Sequence, residues 1–125
     1  MPSVNYDNHA ADVRFPVTRG DDENMPLQFF TTYVAVNDPG NDELDITGRT
    51  YASSVAAGRG GTVVASPTVT VDDAALGMLT VSLTDTQTDL LVNATYIWDL
   101  VENPGTTSES TLIVGRMTVS GRATI

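Results

Sequence analysis

The chain has 125 residues and a mass of 13.3 kDa, the size of one domain with a single hydrophobic core. It contains no cysteine, which excludes disulfides, thiolate zinc sites, iron–sulfur clusters and cysteine nucleophiles. Sixteen acidic residues against six basic ones, all arginine, give a net charge of −10, which disfavours binding to nucleic acid phosphates. We also expect no membrane association and no export signal, because no apolar run approaches about 20 residues and the N-terminus lacks signal-peptide regions.

The composition favours β-structure throughout the chain. Threonine and valine make up 33 of the 125 residues, and both are β-branched side chains that suit a pleated sheet. Turn residues recur at the spacing typical of a β-sandwich. The segments between the turns are predicted as seven strands, at about 12–19, 26–36, 46–56, 62–71, 77–84, 94–102 and 111–119. We therefore predict an all-β domain at residues 15–125, a seven-stranded antiparallel β-sandwich of two packed sheets.

Residues 1–14 differ from the rest of the chain because their few large apolar side chains follow neither a helical nor a strand period. We predict an extended N-terminal arm that orders against neighbouring subunits rather than against its own core, by adding to a sheet edge. Arginine side chains nearby suit such an interface because their planar forks pair with carboxylates. The predicted interface residues are Val4, Tyr6, Val13, Arg14 and Arg19.

Two predicted strands show the clearest patterns. In the strand at 77–84, apolar and hydroxyl side chains alternate, which indicates one buried and one wet face. The strand at 94–102 contains the only tryptophan, Trp98, and is predicted to be the central core strand. Asp99 lies on the opposite face from Trp98 and is expected to reach solvent or a partner.

Between these strands, Thr84 and Gln87 have the spacing of a helix capping box. We predict one short helical turn near 85–91, with Leu90 or Leu91 closing one end of the sandwich.

Few residues of the chain suit catalysis. The single histidine, His9, lies in the arm, where no rigid scaffold would hold it as a base. The acidic groups at 21–23, 38–45 and 72–73 coincide with predicted turns, which aspartate favours by bonding its own backbone. The segment 58–61 is predicted to be a hairpin loop because no lysine and no helix follow its glycines. We expect no enzyme activity, no cofactor and no metal.

Two binding alternatives stay open. The acidic loop at 38–45 could hold calcium through its oxygen ligands, although it lacks the spacing of a helix-loop-helix site. The aromatic side chains of Trp98, Tyr96 and Tyr51 could form a sugar-binding platform, although packing in the core is the commoner use of such residues.

The order of several segments resembles a family of small bacteriophage virion proteins. It is similar to the immunoglobulin-like N-terminal domain of phage baseplate upper proteins and to short tail-accessory proteins, over about residues 13–120. The matching segments are Val17–Asp22, Leu44–Gly48, Gly77–Thr84, Thr86–Leu91, Tyr96–Leu100 and Thr111–Val119. In these segments Gly48 is expected to allow the positive φ of a corner, and Gly115 to mark a bulge or a close contact.

The resemblance implies a non-enzymatic structural component of the virion with an immunoglobulin-like fold. Such a protein would act as a tail, baseplate or fibre-attachment adaptor through contacts with other phage structural proteins, and as a homo-oligomer. A capsid decoration protein is the alternative within the virion. A carbohydrate- or calcium-dependent binding module is the alternative outside it.

Overall fold

The computed structural model describes residues 3–5, 12–30, 44–58 and 60–121. These residues form nine strands, one short α-helix and one 3-10 turn. The strands are β1 (Ser3–Asn5), β2 (Phe15–Thr18), β3 (Glu23–Phe30), β4 (Tyr51–Ala56), β5 (Val63–Ala65), β6 (Thr68–Asp73), β7 (Met78–Leu83), β8 (Thr95–Glu102) and β9 (Ser110–Ser120). The helix is α1 (Asp85–Asp89), and the 3-10 turn spans Ala74–Leu76.

The strands form two sheets, which confirms the all-β prediction. One sheet has four strands in the order β1-β3-β7-β6, and the other has five in the order β2-β9-β8-β4-β5. The described residues include no helix that is long and apolar enough to cross a membrane. β8 is the middle strand of the larger sheet, as expected for the strand that carries the tryptophan.

The strand count and the pairing differ from the prediction of seven antiparallel strands. The predicted strand at 62–71 is two strands, because β5 belongs to the five-stranded sheet and β6 to the four-stranded one. Ser66 and Pro67 connect them, and a proline has no N–H to contribute to a continuous ladder. β1 was not predicted as a strand. It pairs parallel with β3, and β2 pairs parallel with β9, whereas the other pairings are antiparallel.

The core lies between the two sheets and is centred on Trp98, whose side chain is fully buried. The ring of Phe15 on β2 meets the Trp98 ring edge to face, with 5.3 Å between their centroids. From the opposite sheet the alternating apolar side chains of β7 complete the core, and their burial confirms the predicted phase of that strand. These side chains are Leu79, Val81 and Leu83.

The corner before β4 has the predicted form. Leu44 and Ile46 are buried, while the exposed Asp45 accepts hydrogen bonds from the backbone N–H and hydroxyl of Thr47 at 3.0 and 2.6 Å. The next residue, Gly48, has a φ of +81°, which confirms the positive φ expected there. Because this corner occupies residues 44–48, β4 begins only at Tyr51 and not at 46.

The helical turn is also confirmed. The Thr84 hydroxyl accepts from the Gln87 N–H at 3.2 Å, and the Gln87 side chain accepts from the Thr84 N–H at 2.9 Å. Leu91 is the residue that closes the end of the sandwich, because it is fully buried while Leu90 is exposed.

The described part of the N-terminal arm pairs and packs within the chain. β1 adds to the edge of the four-stranded sheet, and Val13 packs against the core. Arg14 is exposed. Tyr6 and His9 lie outside the described residues. The role of the arm as an interface between subunits stays a prediction.

Candidate functional site

The outer surface of the five-stranded sheet carries the feature of most functional interest. Along β8 the side chains alternate, so that Tyr96, Trp98 and Leu100 are buried in the core while Ile97 and Asp99 lie on the outer face and are half-buried. This confirms that Asp99 lies opposite Trp98. The middle strand of the sheet therefore presents a carboxylate outward.

The strand register places uncharged neighbours beside that carboxylate. Asp99 pairs with Ser54 of β4 on one side and with Val114 of β9 on the other. In the next row, Ile97 pairs with Ala56 and with the exposed Arg116. Ser54 and Val114 thus lie directly beside Asp99, Ala56 and Ile97 add apolar surface in the next row, and Arg116 stands at the far side of that row.

These strands form the floor of an open groove of about 370 Å³, called the outer groove below. It is lined by the outward residues of the three strands and by the loop that follows β4. The lining includes Ser54, Ala56, Val63, Ile97, Asp99 and Val114. The loop glycines Gly58, Gly60 and Gly61 border it, and because β4 and β5 pair antiparallel on either side of them, the predicted hairpin loop is confirmed.

Asp99 is held in an unusual setting for a surface carboxylate. One of its oxygens, Oδ1, accepts the backbone N–H of Ser54 at 2.9 Å. Partial burial raises the pKa of Asp99, and the hydrogen bond from Ser54 opposes that shift only in part. The ion pairs within the described residues join Arg19 to Asp89 and Arg49 to Glu102, so none of them neutralises Asp99.

The buried carboxylate of Glu102, by contrast, has structural partners. Glu102 is 2% exposed, and its carboxylate accepts from the Arg49 guanidinium at 3.3 Å and from the Tyr51 hydroxyl at 2.8 Å. Hydrogen bonds between the backbone N–H of Thr50 and the Asn103 side chain, and between the Asn103 N–H and the Thr50 carbonyl, flank this pair. The group fastens β4 to the end of β8.

Most other residues that the sequence suggested for ligand binding have a structural role instead. The rings of Trp98 and Tyr96 are buried, and Tyr51 stacks on Phe29 at 6.2 Å, so the three do not form an exposed sugar platform. Asp72 and Asp73 end β6 instead of forming a turn, because the strand continues through a bulge opposite β7. Within the described residues, no three His, Asp or Glu side chains gather as metal ligands, and 38–43 lies outside them.

Of the predicted interface residues, the three whose side chains the structure describes do not lie at the outer groove. Arg19 donates to the carbonyl of Asp89 at 3.3 Å, at the end of the sandwich that α1 closes. Val13 lies under β8 on the core side, and Arg14 precedes β2. The sequence pattern indicated Asp99 alone. Ser54, Ile97 and Val114 carried no separate signal, because only the register of three strands brings them together.

The fold is similar to that of a solved phage protein domain. This is the N-terminal domain of phage TP901-1 ORF48, with a TM-score of 0.50 and 11% sequence identity. The similarity covers 96% of this chain and 99% of that chain. No protein-family model matches the sequence, and no curated protein matches it either. The likeness at this identity is one of fold.

Proposed function

We propose that the protein is a non-enzymatic structural component of a bacteriophage particle, with an immunoglobulin-like arrangement of its two sheets. The observation that supports this most is that the likeness to the ORF48 domain extends over nearly the whole of both chains. The order of segments that resembles phage baseplate and tail-accessory proteins supports the same class independently. Within the particle, it acts as a tail, baseplate or fibre-attachment adaptor.

The adaptor works through contacts with other phage structural proteins and with further copies of itself. The N-terminal arm and the outer groove are the surfaces proposed for these contacts. The proposal that it is not an enzyme draws on the structural roles of its carboxylates. Asp45 holds a corner through Thr47, Asp72 accepts from the Thr80 hydroxyl, and Glu102 is paired with Arg49.

The proposal is tested by locating and counting the chain in purified particles. Virions are separated into tails and capsids, and the chain is quantified against the tail-tube and major capsid proteins by mass spectrometry with labelled peptides. We expect it in the tail fraction, in a small fixed ratio to the tail tube. Recovery with capsids, in proportion to the major capsid protein, would indicate capsid decoration instead. Absence from both fractions would refute a virion role.

A further inference from the structure

We propose that the outer groove is a docking site for an arginine or lysine side chain, presented by a segment of a partner protein. The inference does not rest on the proposed function, because the chemistry of the groove is the same wherever the protein acts.

The carboxylate of Asp99 has unused capacity to accept hydrogen bonds. Its Oδ1 accepts one backbone N–H from Ser54, and a carboxylate has room for several more donors. Its neighbours across the sheet, Ser54 and Val114, carry no charge, and Arg116 in the next row forms no ion pair with it. Since no cation among the described residues pairs with Asp99, a guanidinium or ammonium group from outside would be its counter-ion, and the bond would be stronger here than at a fully exposed carboxylate.

The shape and polarity of the groove walls also suit a long cationic side chain. Ala56, Ile97 and Val114 flank the carboxylate with apolar surface. Arginine and lysine combine an apolar stem with a charged tip, so the stem covers such walls while the tip reaches Asp99. The volume of about 370 Å³ lies at the small end of ligand pockets, which hold about 300–1,000 Å³. It accommodates one long side chain with the residues beside it.

The net charge of the protein and the surroundings of the groove favour a cation over other ligands. A net charge of −10 attracts cationic partners and repels phosphates and other anions. A sugar commonly stacks on an aromatic ring, but the ring of Trp98 beneath this groove is turned into the core and fully buried. Partial burial disfavours the ionised form of Asp99 and so raises its pKa. A bound cation would stabilise the ionised form and lower the pKa again.

The test uses short peptides and the intact protein. ¹⁵N-labelled protein is titrated with acetyl-Ala-Val-Arg-Val-Ala-amide, and with the same peptide carrying citrulline, which keeps the shape of arginine but has no charge. We expect saturable amide shifts around residues 54–56, 97–99 and 111–114. Citrulline is expected to weaken binding about tenfold or more, because it removes a charge-assisted bond. The measured pKa of Asp99 is expected to fall when the arginine peptide saturates the protein.

Two variants separate the site from the general charge of the protein. Asp99→Asn keeps an oxygen that can accept the Ser54 N–H but loses the charge, and it is expected to weaken the arginine peptide about tenfold or more. Asp73→Asn removes the same charge from an exposed position in the other sheet, and it is expected to leave binding unchanged.

Several outcomes would overturn the inference. They are equal binding of the citrulline peptide, an equal loss with Asp73→Asn, shifts away from the groove, or no saturable shift. A further variant tests an occupant from this chain, because Arg59 lies between Gly58 and Gly60 in the sequence. If Arg59→Gln raises the measured pKa of Asp99 in the free protein, the groove already pairs with its own arginine and the inference fails.

Discussion

The indole N–H of Trp98 donates to the backbone carbonyl of Val13 at 2.8 Å. The bond ties the middle strand of the larger sheet to the segment that leads into β2. It passes directly beside Gly115 of β9, the cross-strand partner of Trp98. A Cβ at Gly115 would lie 2.0 Å from the Val13 oxygen and 2.9 Å from the Trp98 nitrogen. The close contact predicted for Gly115 is therefore confirmed, while the irregularity in β9 lies nearer Leu112.

Gly115→Ala is expected to destabilise the protein by about 3 kcal/mol, because the added methyl must displace the Val13 carbonyl and break its bond with the indole. Urea denaturation measures the change. Gly121→Ala serves as the matched control, because a Cβ there has no atom within 4 Å, and its effect should stay within about 0.5 kcal/mol. Equal effects of the two substitutions would contradict the assignment.

Trp98→Ala is expected to cost about 3–5 kcal/mol, since it removes the largest buried side chain and leaves a cavity. That loss approaches the whole stability of a marginal domain, so low solubility on expression is expected as well. Trp98→Phe retains most of the packing and loses the donor to Val13, and its cost should be intermediate. Val92→Ala, at a position 70% exposed, controls for the loss of apolar side-chain volume. A soluble, fully stable Trp98→Ala protein would refute a core role.

Thr88 is fully buried in α1, and its hydroxyl accepts from the Gly20 N–H at 3.0 Å and donates to the Asp21 carbonyl at 2.8 Å. Thr88→Val keeps the shape and removes these two bonds together with a third, to the Asp85 carbonyl at 3.1 Å, so a cost of about 1–3 kcal/mol is expected. Hydrogen exchange should quicken at Gly20. Thr86→Val changes an exposed hydroxyl of the same helix and should have a smaller effect on both measurements.

Asp99→Asn is expected to change the pH dependence of stability. Burial raises the pKa of Asp99 in the folded protein, so the unfolded chain releases this proton at lower pH. Ionisation of Asp99 therefore lowers the free energy of unfolding as pH rises from the unfolded pKa through the folded pKa. In Asp99→Asn the side chain cannot ionise, so this fall in the free energy of unfolding is absent. Its stability relative to the parent should increase across that range and level off above it, as followed by urea denaturation at a series of pH values.

The features that could be predicted from the sequence are those that depend on neighbouring residues. The alternation in β7, the capping box of Thr84 and Gln87 and the corner at 44–48 all arise from local side-chain periodicity or local hydrogen bonds. Pro67 is a local signal for a break within 62–71, but the sheet that each half joins could not be foreseen in this way. Threonine and valine continue on both sides of Pro67, and only packing against two different sheets decides where each half pairs.

The outer groove could likewise be predicted from the sequence only in part. The alternation around Trp98 was enough to place Asp99 on the outer face. Its neighbours Ser54 and Val114 come from strands far away in the sequence, and their position depends on register. Register is set by the complete core, which no single segment encodes. The raised pKa of Asp99 results from burial among those neighbours, so it could not be predicted from the sequence either.

The parallel pairing of β2 with β9 also has a consequence for synthesis. Phe15 at the beginning of β2 lies beside Met117 near the end of β9, so the contacts of this core residue depend on a strand that is synthesised much later. Contacts between residues far apart in the sequence slow folding. During translation, the burial of Phe15 is complete only after β9 has been synthesised. Premature termination within β9 would leave this aromatic ring uncovered and the nascent protein prone to aggregation.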